Sequence, residues 1–541
     1  MEDAKIVLKV GGFGNRATWR TARQDELFLL QIVLNSASKR RILPRPVGPF
    51  FGSDRTRCGL NRSPDVNCMS KPIVVDLDGT LIHSDILVES GFAFLRSFPQ
   101  KFYKPLQWLS SGGKPGLKTR LAEHVNIDVT TLPYNTQVVN WLREMRAAGR
   151  TIALATASHE TFARRIAEHL GIFDRVFATD EHVNLSSHRK RDRLVEEYGE
   201  KGFDYVGNSH DDIAVWAAAD RAYVVNPHAG VVRAASKHDN IEQVFENRQP
   251  TLRIWAKSLR LHQWLKNVLV FVPLLAGHQL RSSTSIGFAV LAFFAFGLCA
   301  SSVYLLNDLL DLQDDRQHPV KRKRPLAAGT MPLAWGVALC PILLAAAFSI
   351  ALTFLSWKFN AALLGYYVLT LAYSLALKRQ VMIDVVVLAA LYTTRIVAGA
   401  AAIHVPLTFW LLAFSMFAFL SLALVKRYTE LHAMMKAGRD SARGRGYLAS
   451  DLAIVSSLGT SSGYISVLVL ALYIQDERTT MLYRHPQFIW MVCPLMLYWF
   501  SRTWVITHRG RMNDDPIVFA ARDRMSLVVV ALCGFAFWLA I

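Results

Sequence analysis

VYLLNDLLDLQDDRQHPVKRKRPLAAG, residues 303–329, runs from an apolar segment into four aspartates and then five cations. The acids are Asp308, Asp311, Asp314 and Asp315; the cations are Arg316, Lys321, Arg322, Lys323 and Arg324. If the apolar helix continues, Asp308, Asp311 and Asp315 fall at i, i+3 and i+7 and share one face. Like charges at that spacing repel, so the arrangement costs stability unless a cation bridges it. Magnesium suits the task. It is a hard cation with oxygen ligands, and it commonly shares one or two carboxylates with substrate phosphates. Asn307 flanks the acids as a further oxygen donor. A solvated acidic loop is the plainer alternative, but the adjacent bases favour a diphosphate site. Acids would hold the metal, and Lys321, Arg322 and Arg324 would hold phosphate oxygens.

The flanking sequence sets the fold class. The 541 residues imply two or more units. Residues 1–250 read as soluble protein, whereas 264–541 hold repeated apolar runs of about 20 residues, the length that crosses a bilayer. Nine spans are expected near 264–280, 284–306, 331–353, 360–376, 381–402, 407–425, 452–474, 486–505 and 525–541. Loops on the side of 307–330 carry 21 Lys and Arg, and those opposite carry 4. The positive-inside rule places the first set in the cytoplasm and the C-terminus outside. Much of the formal net charge of +19 thus lies against the membrane. That fits a lipid bilayer and phosphate-rich partners, and it argues against nucleic acid, for which no recognised module is present. The six cysteines form no CxxC pair, and four lie in apolar runs, so packed thiols are expected rather than zinc or disulfides. Residues 1–68 are Arg-rich and aperiodic. Met69 is the expected true start, or 1–68 a disordered arm; a targeting peptide is a third reading.

NDLLDLQDDRQHPVKRKRP resembles the first aspartate-rich motif of the UbiA superfamily of membrane prenyltransferases, and within it the decaprenyl-phosphate phosphoribosyltransferases. LRLHQWLKNVLVFVPLLAG (259–277), YSLALKRQVMIDVVVLAALYTTRIVAGA (373–400), LVKRYTEL (424–431) and HRGRMNDDPIVFAARDRMS (508–526) fit the same likeness, which covers most of 253–541. The aromatic prenyltransferase branch carries a second acidic motif after the sixth span. Here that place reads Lys426-Arg427-Tyr428-Thr429-Glu430, with one acid left as a possible metal ligand. Two bases there suit a more anionic substrate pair. Arg395 and Asp384 lie eleven residues apart, nearly on one face of the fifth span. Arg395 is expected to bind phosphate or form an ion pair inside a cavity. Asp384 is as readily solvated. Lys378 binds phosphate or snorkels. Asp514 and Asp515 are weak site candidates at a helix start with proline in its first turn.

KPIVVDLDGTLIHSD (71–85) reads as a buried strand followed by a turn, with Asp76 and Asp78 at its C-terminal end, where open α/β sheets bind ligands. RTIALATAS (150–158) and FDYVGNSHDDIAVW (203–216) read as further strands. The order resembles the haloacid dehalogenase (HAD) superfamily across about 71–225, with a helical cap near 86–145 and a linker at 226–252. The resemblance implies that Asp76 attacks phosphorus and that Asp78 serves as acid and base. Thr156 and Lys190 would hold phosphate, and Asp212 would join Asp76 and Asp78 around magnesium. Asn208 stands where an aspartate is usual. A HAD fold kept only for docking or regulation is the alternative.

The expected whole is an integral enzyme of a bacterial inner membrane, with its active sites facing the cytoplasm. Its all-α UbiA-like bundle would follow a Rossmann-type HAD-like domain. It would move 5-phosphoribose from phosphoribosyl diphosphate to a polyprenyl phosphate, and the HAD domain would dephosphorylate the product. A UbiA-type transfer from a prenyl diphosphate to an aromatic or small acceptor is the alternative. A flippase with a regulatory HAD domain is another.

Overall fold

Short apolar runs, buried at the centre of the sheet and partly exposed at its edges, build the N-terminal half, as expected where both faces of a parallel sheet are covered. The computed structural model describes residues 71–540, apart from 181–182, 228–229, 246–250, 437, 439–445, 476–482 and 513–514. The expected arm or late start at 1–68, and Asp514, lie outside the described residues. The strands are β1 (Ile73–Val75), β2 (Ile152–His159), β3 (Arg175–Thr179), β4 (Asp204–Gly207), β5 (Ala222–Val225) and β6 (Ile241–Phe245). They form one parallel sheet in the order β3-β2-β1-β4-β5-β6. Connections leave β1 in both directions, so the ligand crevice is set at the carboxyl ends of β1 and β4.

Helices α1 (Ile86–Ser97) and α2 (Lys104–His124) form the cap. Helix α3 (Thr136–Ala147) follows, and its Val138, Val139 and Leu142 join the buried cluster of Ile73, Val75 and Ile152. The same cluster holds Ile86 and Phe94 of α1 and Leu121 of α2. Helices α4 (Glu160–Leu170), α5 (His188–Tyr198), α6 (Ile213–Ala218) and α7 (Val231–Ala235) complete the layers. Over the expected linker at 226–252 the structure places a helix and a sixth strand. β6 pairs with β5, and Val231 and Ala235 of α7 are buried, so the domain runs to Phe245. The alternation in IEQVF is too short to read as a strand beside the polar residues around it.

The C-terminal half is helical. It holds α8 (Leu252–Ser258), a 3-10 stretch (Leu261–Phe271), α9 (Val272–Ala276), α10 (Ser283–Leu310), α11 (Leu312–Gln317), α12 (Leu333–Phe354), α13 (Trp357–Leu375), α14 (Ile383–Ala402), α15 (Phe409–Lys436), α16 (Leu452–Gln475), α17 (Val492–His508), α18 (Pro516–Arg522) and α19 (Arg524–Ala540). Among the described residues, six helices are long and apolar enough to cross a membrane: α10, α12, α14, α15, and α16 and α17 with their leading turns. A seventh arises if α18 and α19, bent by 79°, count as one span. Nine spans are thus not found among the described residues. The segment expected at 264–280 is broken into a 3-10 stretch and a short helix with Pro273 in its first turn. Helix α13 has 19 residues, but Lys358, Asn360 and three tyrosines dilute its apolarity.

Candidate active sites

Helix α10 delivers the first acids. Its 28 residues extend about 42 Å at 1.5 Å per residue. Ala289, Ala292, Ala295, Ala300, Ser301 and Ser302 are buried along it, small enough for close backbone approach. The helix ends at Leu310, and Asp311 (φ −99°, ψ 14°) separates it from α11. The expected continuous acidic face fails at this one residue. Asp308 and Asp315 still converge. Arg324 Nη1 donates to Asp308 Oδ1 at 3.0 Å and to Asp315 Oδ2 at 2.5 Å, and Arg260 also pairs with Asp308. Asp311 faces Lys378 Nζ at 3.2 Å and Arg96 Nη1 at 3.0 Å. Asp314 pairs with Arg96 as well.

Acid repulsion is therefore relieved by side-chain cations. Among the described residues, no three His, Cys, Asp or Glu side chains come together to hold a metal ion. The expected three-aspartate nest becomes a pair. That pair suits a hard cation, because both carboxylates point at the place Arg324 reaches, and both offer oxygen. Asn307 is half-buried one turn before the break, where its carbonyl accepts the Asp311 amide at 2.9 Å. Burial pushes the Asp315 carboxyl up to about 6, against the opposing pull of Arg324.

The remaining expected cations divide. Lys321 and Arg322 are exposed on a 3-10 turn. Arg427 is not a free phosphate ligand. It is fully buried and pairs with Asp384 and Glu430, while Tyr447 donates to Asp384 at 2.6 Å. Asp384 is thus buried rather than solvated, and Glu430 belongs to this network and not to the acid cluster. Lys426 is half-buried beside it. Arg395 is buried but meets neutral partners: Asn267 Oδ1 at 3.0 Å, the Leu391 carbonyl at 2.5 Å and the Tyr366 hydroxyl at 3.1 Å. It also stacks near the rings of Tyr366 and Tyr392. Its expected ion pair is replaced by cation–π and neutral contacts. Lys266 pairs with Asp515, which also caps α18 by accepting from Ile517 N at 3.1 Å. Lys266 and Asn267 are held inward because Gly399 of α14 lets the 3-10 stretch approach. A Cβ at Gly399 would lie 2.1 Å from the Val270 carbonyl oxygen.

In the N-terminal half, Asp76 and Asp78 leave the end of β1. Lys190 Nζ donates to Asp76 Oδ1 at 2.7 Å and approaches Asp212 Oδ1 at 3.5 Å. Tyr205 Oη receives from Lys190 at 2.9 Å and donates to Asp212 at 2.7 Å. The other Asp212 oxygen accepts from Asn208 N, Ser209 N and Ser209 Oγ, each at 3.0 Å. Both its oxygens accept hydrogen bonds, and through them Asp212 orders the loop and Lys190. Asp78 accepts from Ser158 Oγ at 2.6 Å and Ile86 N at 2.8 Å. Burial raises Asp76 to about 6, opposed by Lys190, and raises Asp78 to about 8, reinforced by Asp85 and Asp76. Thr156 is fully buried, and its hydroxyl accepts from Ser158 N at 3.0 Å. Lys118 of the cap reaches the Ala157 carbonyl at 2.6 Å, beyond what the strand motifs indicate.

A polytopic helical half with an acid-and-cation site, joined to a parallel α/β half with paired aspartates at the end of its first strand, defines a two-domain membrane protein. The chain belongs to the UbiA prenyltransferase family, which matches residues 269–538. It is 38% identical over 485 residues to the protein y4nM of Sinorhizobium fredii, covering 88% of this chain and 92% of that one. It is 36% identical over 188 residues to the decaprenyl-phosphate phosphoribosyltransferase of Mycobacterium tuberculosis, covering 34% of this chain and 61% of the relative. A HAD family hydrolase structure from Salmonella enterica aligns with TM-score 0.25 and 13% identity, over 33% of this chain and 67% of that one.

Proposed function

We propose that the membrane half transfers 5-phosphoribose from phosphoribosyl diphosphate to a polyprenyl phosphate, on the cytoplasmic side of a bacterial inner membrane. The HAD half then removes the 5-phosphate from the product. The observation that carries this reading is the contrast between two arginines. The side chain of Arg324 is 28% exposed over the Asp308–Asp315 pair and can yield to an incoming metal and diphosphate. Arg427, at the place of a second acid motif, is 1% exposed and locked by Asp384 and Glu430. One diphosphate-binding acid pair, with Lys266, Arg395 and Lys426 in the interior, suits one diphosphate donor and one anionic acceptor. The likeness to the mycobacterial phosphoribosyltransferase supports the same reading.

Asp308 and Asp315 would hold magnesium, which when bound neutralises charge on the leaving diphosphate. A lipid phosphate oxygen attacks the anomeric carbon as its bond to the diphosphate breaks. Arg324 and Arg260 at these acids, and Lys378 at Asp311, stand to take phosphate oxygens, and Arg395 keeps its charge for an anion because its partners are neutral. In the HAD half, Asp76 attacks the 5-phosphate and the phosphorus–O5 bond breaks. Asp78 gives its proton to the leaving oxygen, then takes one from the water that cleaves the aspartyl-phosphate. Lys190 and Thr156 hold phosphate oxygens. The test offers radiolabelled phosphoribosyl diphosphate or prenyl diphosphate to purified protein in detergent with polyprenyl phosphate. Lipid labelled from the sugar donor is expected. Label entering only from the prenyl donor would replace this reading with a prenyl transfer. Phosphate release unchanged by Asp76→Asn would remove the hydrolase step.

A further inference from the structure

The acid cluster of the membrane half is completed by a side chain from the other domain. Arg96 stands in the last turn of cap helix α1. Its guanidinium reaches Asp311 Oδ1 at 3.0 Å, Asp314, and the Leu310 carbonyl at 3.4 Å. The three groups flank the break: Leu310 ends α10, Asp311 is the break and Asp314 lies in the first turn of α11. The Leu310 carbonyl is among those a helix end leaves without an intrahelical partner, and a cation there is favourable.

The rest of α1 is fixed against the same segment. Glu89 receives Arg316 of α11 through two donors, at 2.8 and 2.7 Å, and both side chains are almost fully buried. Gln317 donates to Asp128 at 3.1 Å. Gly329, with φ +69°, lies beneath His83, where a Cβ would come within 2.6 Å of the His83 Cβ. Arg96 is thus held by its own helix and meets the residue that sets the angle between Asp308 on α10 and Asp315 on α11. A planar guanidinium can serve two carboxylates and a carbonyl together, which a lysine cannot match.

We propose that Arg96 is a positioning residue of the membrane site: the hydrolase domain holds the Asp311 break and thereby the spacing of Asp308 and Asp315. Its consequence for catalysis rests on the transferase reading above; its consequence for structure does not. The test uses the full chain in detergent, as wild type, Arg96→Ala and Arg96→Lys. Deuterium exchange of the amides of 307–317 requires no substrate. Faster exchange confined to that segment in Arg96→Ala, partly restored in Arg96→Lys, is expected. With the labelled sugar donor, Arg96→Ala should raise KM roughly tenfold, as small misplacements of substrate-holding groups do. Hydrolysis of a soluble phosphomonoester should stay unchanged. Exchange equal to wild type overturns the proposal whatever the activity. So does a fall in overall thermal stability with exchange at 307–317 and KM unchanged, the mark of a docking contact alone. A wild-type chain that makes no sugar-lipid, with the exchange difference present, refutes the transferase reading and leaves the positioning role standing.

Discussion

Arg324 and Arg427 each join two carboxylates, yet removing them should do opposite things. Arg324 is part-exposed; on its loss Asp308 keeps Arg260, and Asp315, whose carboxyl burial already raises to about 6, can take a proton, so the cost in stability is small. Arg324→Ala should leave the thermal midpoint near wild type and raise KM for the diphosphate donor. Arg427 is fully buried, and Arg427→Met strands Asp384 in the interior. That should cost about 3–5 kcal/mol, seen as loss of monodisperse protein during purification. A normal midpoint with a raised KM would instead return Arg427 to the phosphate ligands. Glu89→Met should destabilise by a similar margin, because Arg316 is left buried without its acid. Glu89→Met with Arg316→Met should recover most of the loss, since an apolar pair of like size replaces a buried ion pair at little cost.

Among the elements, the strands and their acids were legible because chemistry and position coincide within a few residues: Asp76 and Asp78 follow a buried β-branched run. The apolar helices were legible from length and composition. The break at Asp311 was not, because both sides keep helical hydrogen bonds, Asp311 N to the Asn307 carbonyl at 2.9 Å and Asp315 N to the Asp311 carbonyl at 2.8 Å. Only the torsion at one residue and its cations from afar divide the helix. Arg260, Lys266 and Asn267 lay in a stretch that fitted the family, but their partners Asp308, Asp515 and Arg395 come from other helices, so no local spacing marks them. The seat of that stretch gives a direct test. Gly399→Val should push Val270 away and displace Lys266 and Asn267. Sugar-lipid formation should fall while soluble phosphomonoester hydrolysis persists; equal activity would show that the stretch tolerates movement.

For the molecule as a whole, charge asymmetry predicts sidedness. In a chain whose own cysteines are replaced by serine, Arg322→Cys and Lys358→Cys place single thiols at exposed positions. A membrane-impermeant maleimide should label the first only in inverted vesicles and the second only in right-side-out cells. The reverse pattern would put both active sites outside. The domain arrangement was less legible than the domains themselves: Glu89 and Arg316 stand 227 residues apart in the chain, and nothing near either one announces the other.

That couple also constrains descent. A dry contact between two halves tolerates neither a lone acid nor a lone base, so positions 89 and 316 cannot drift separately. Among related chains carrying both halves they should change together or not at all, a heritable record of docking that can be read without any structure.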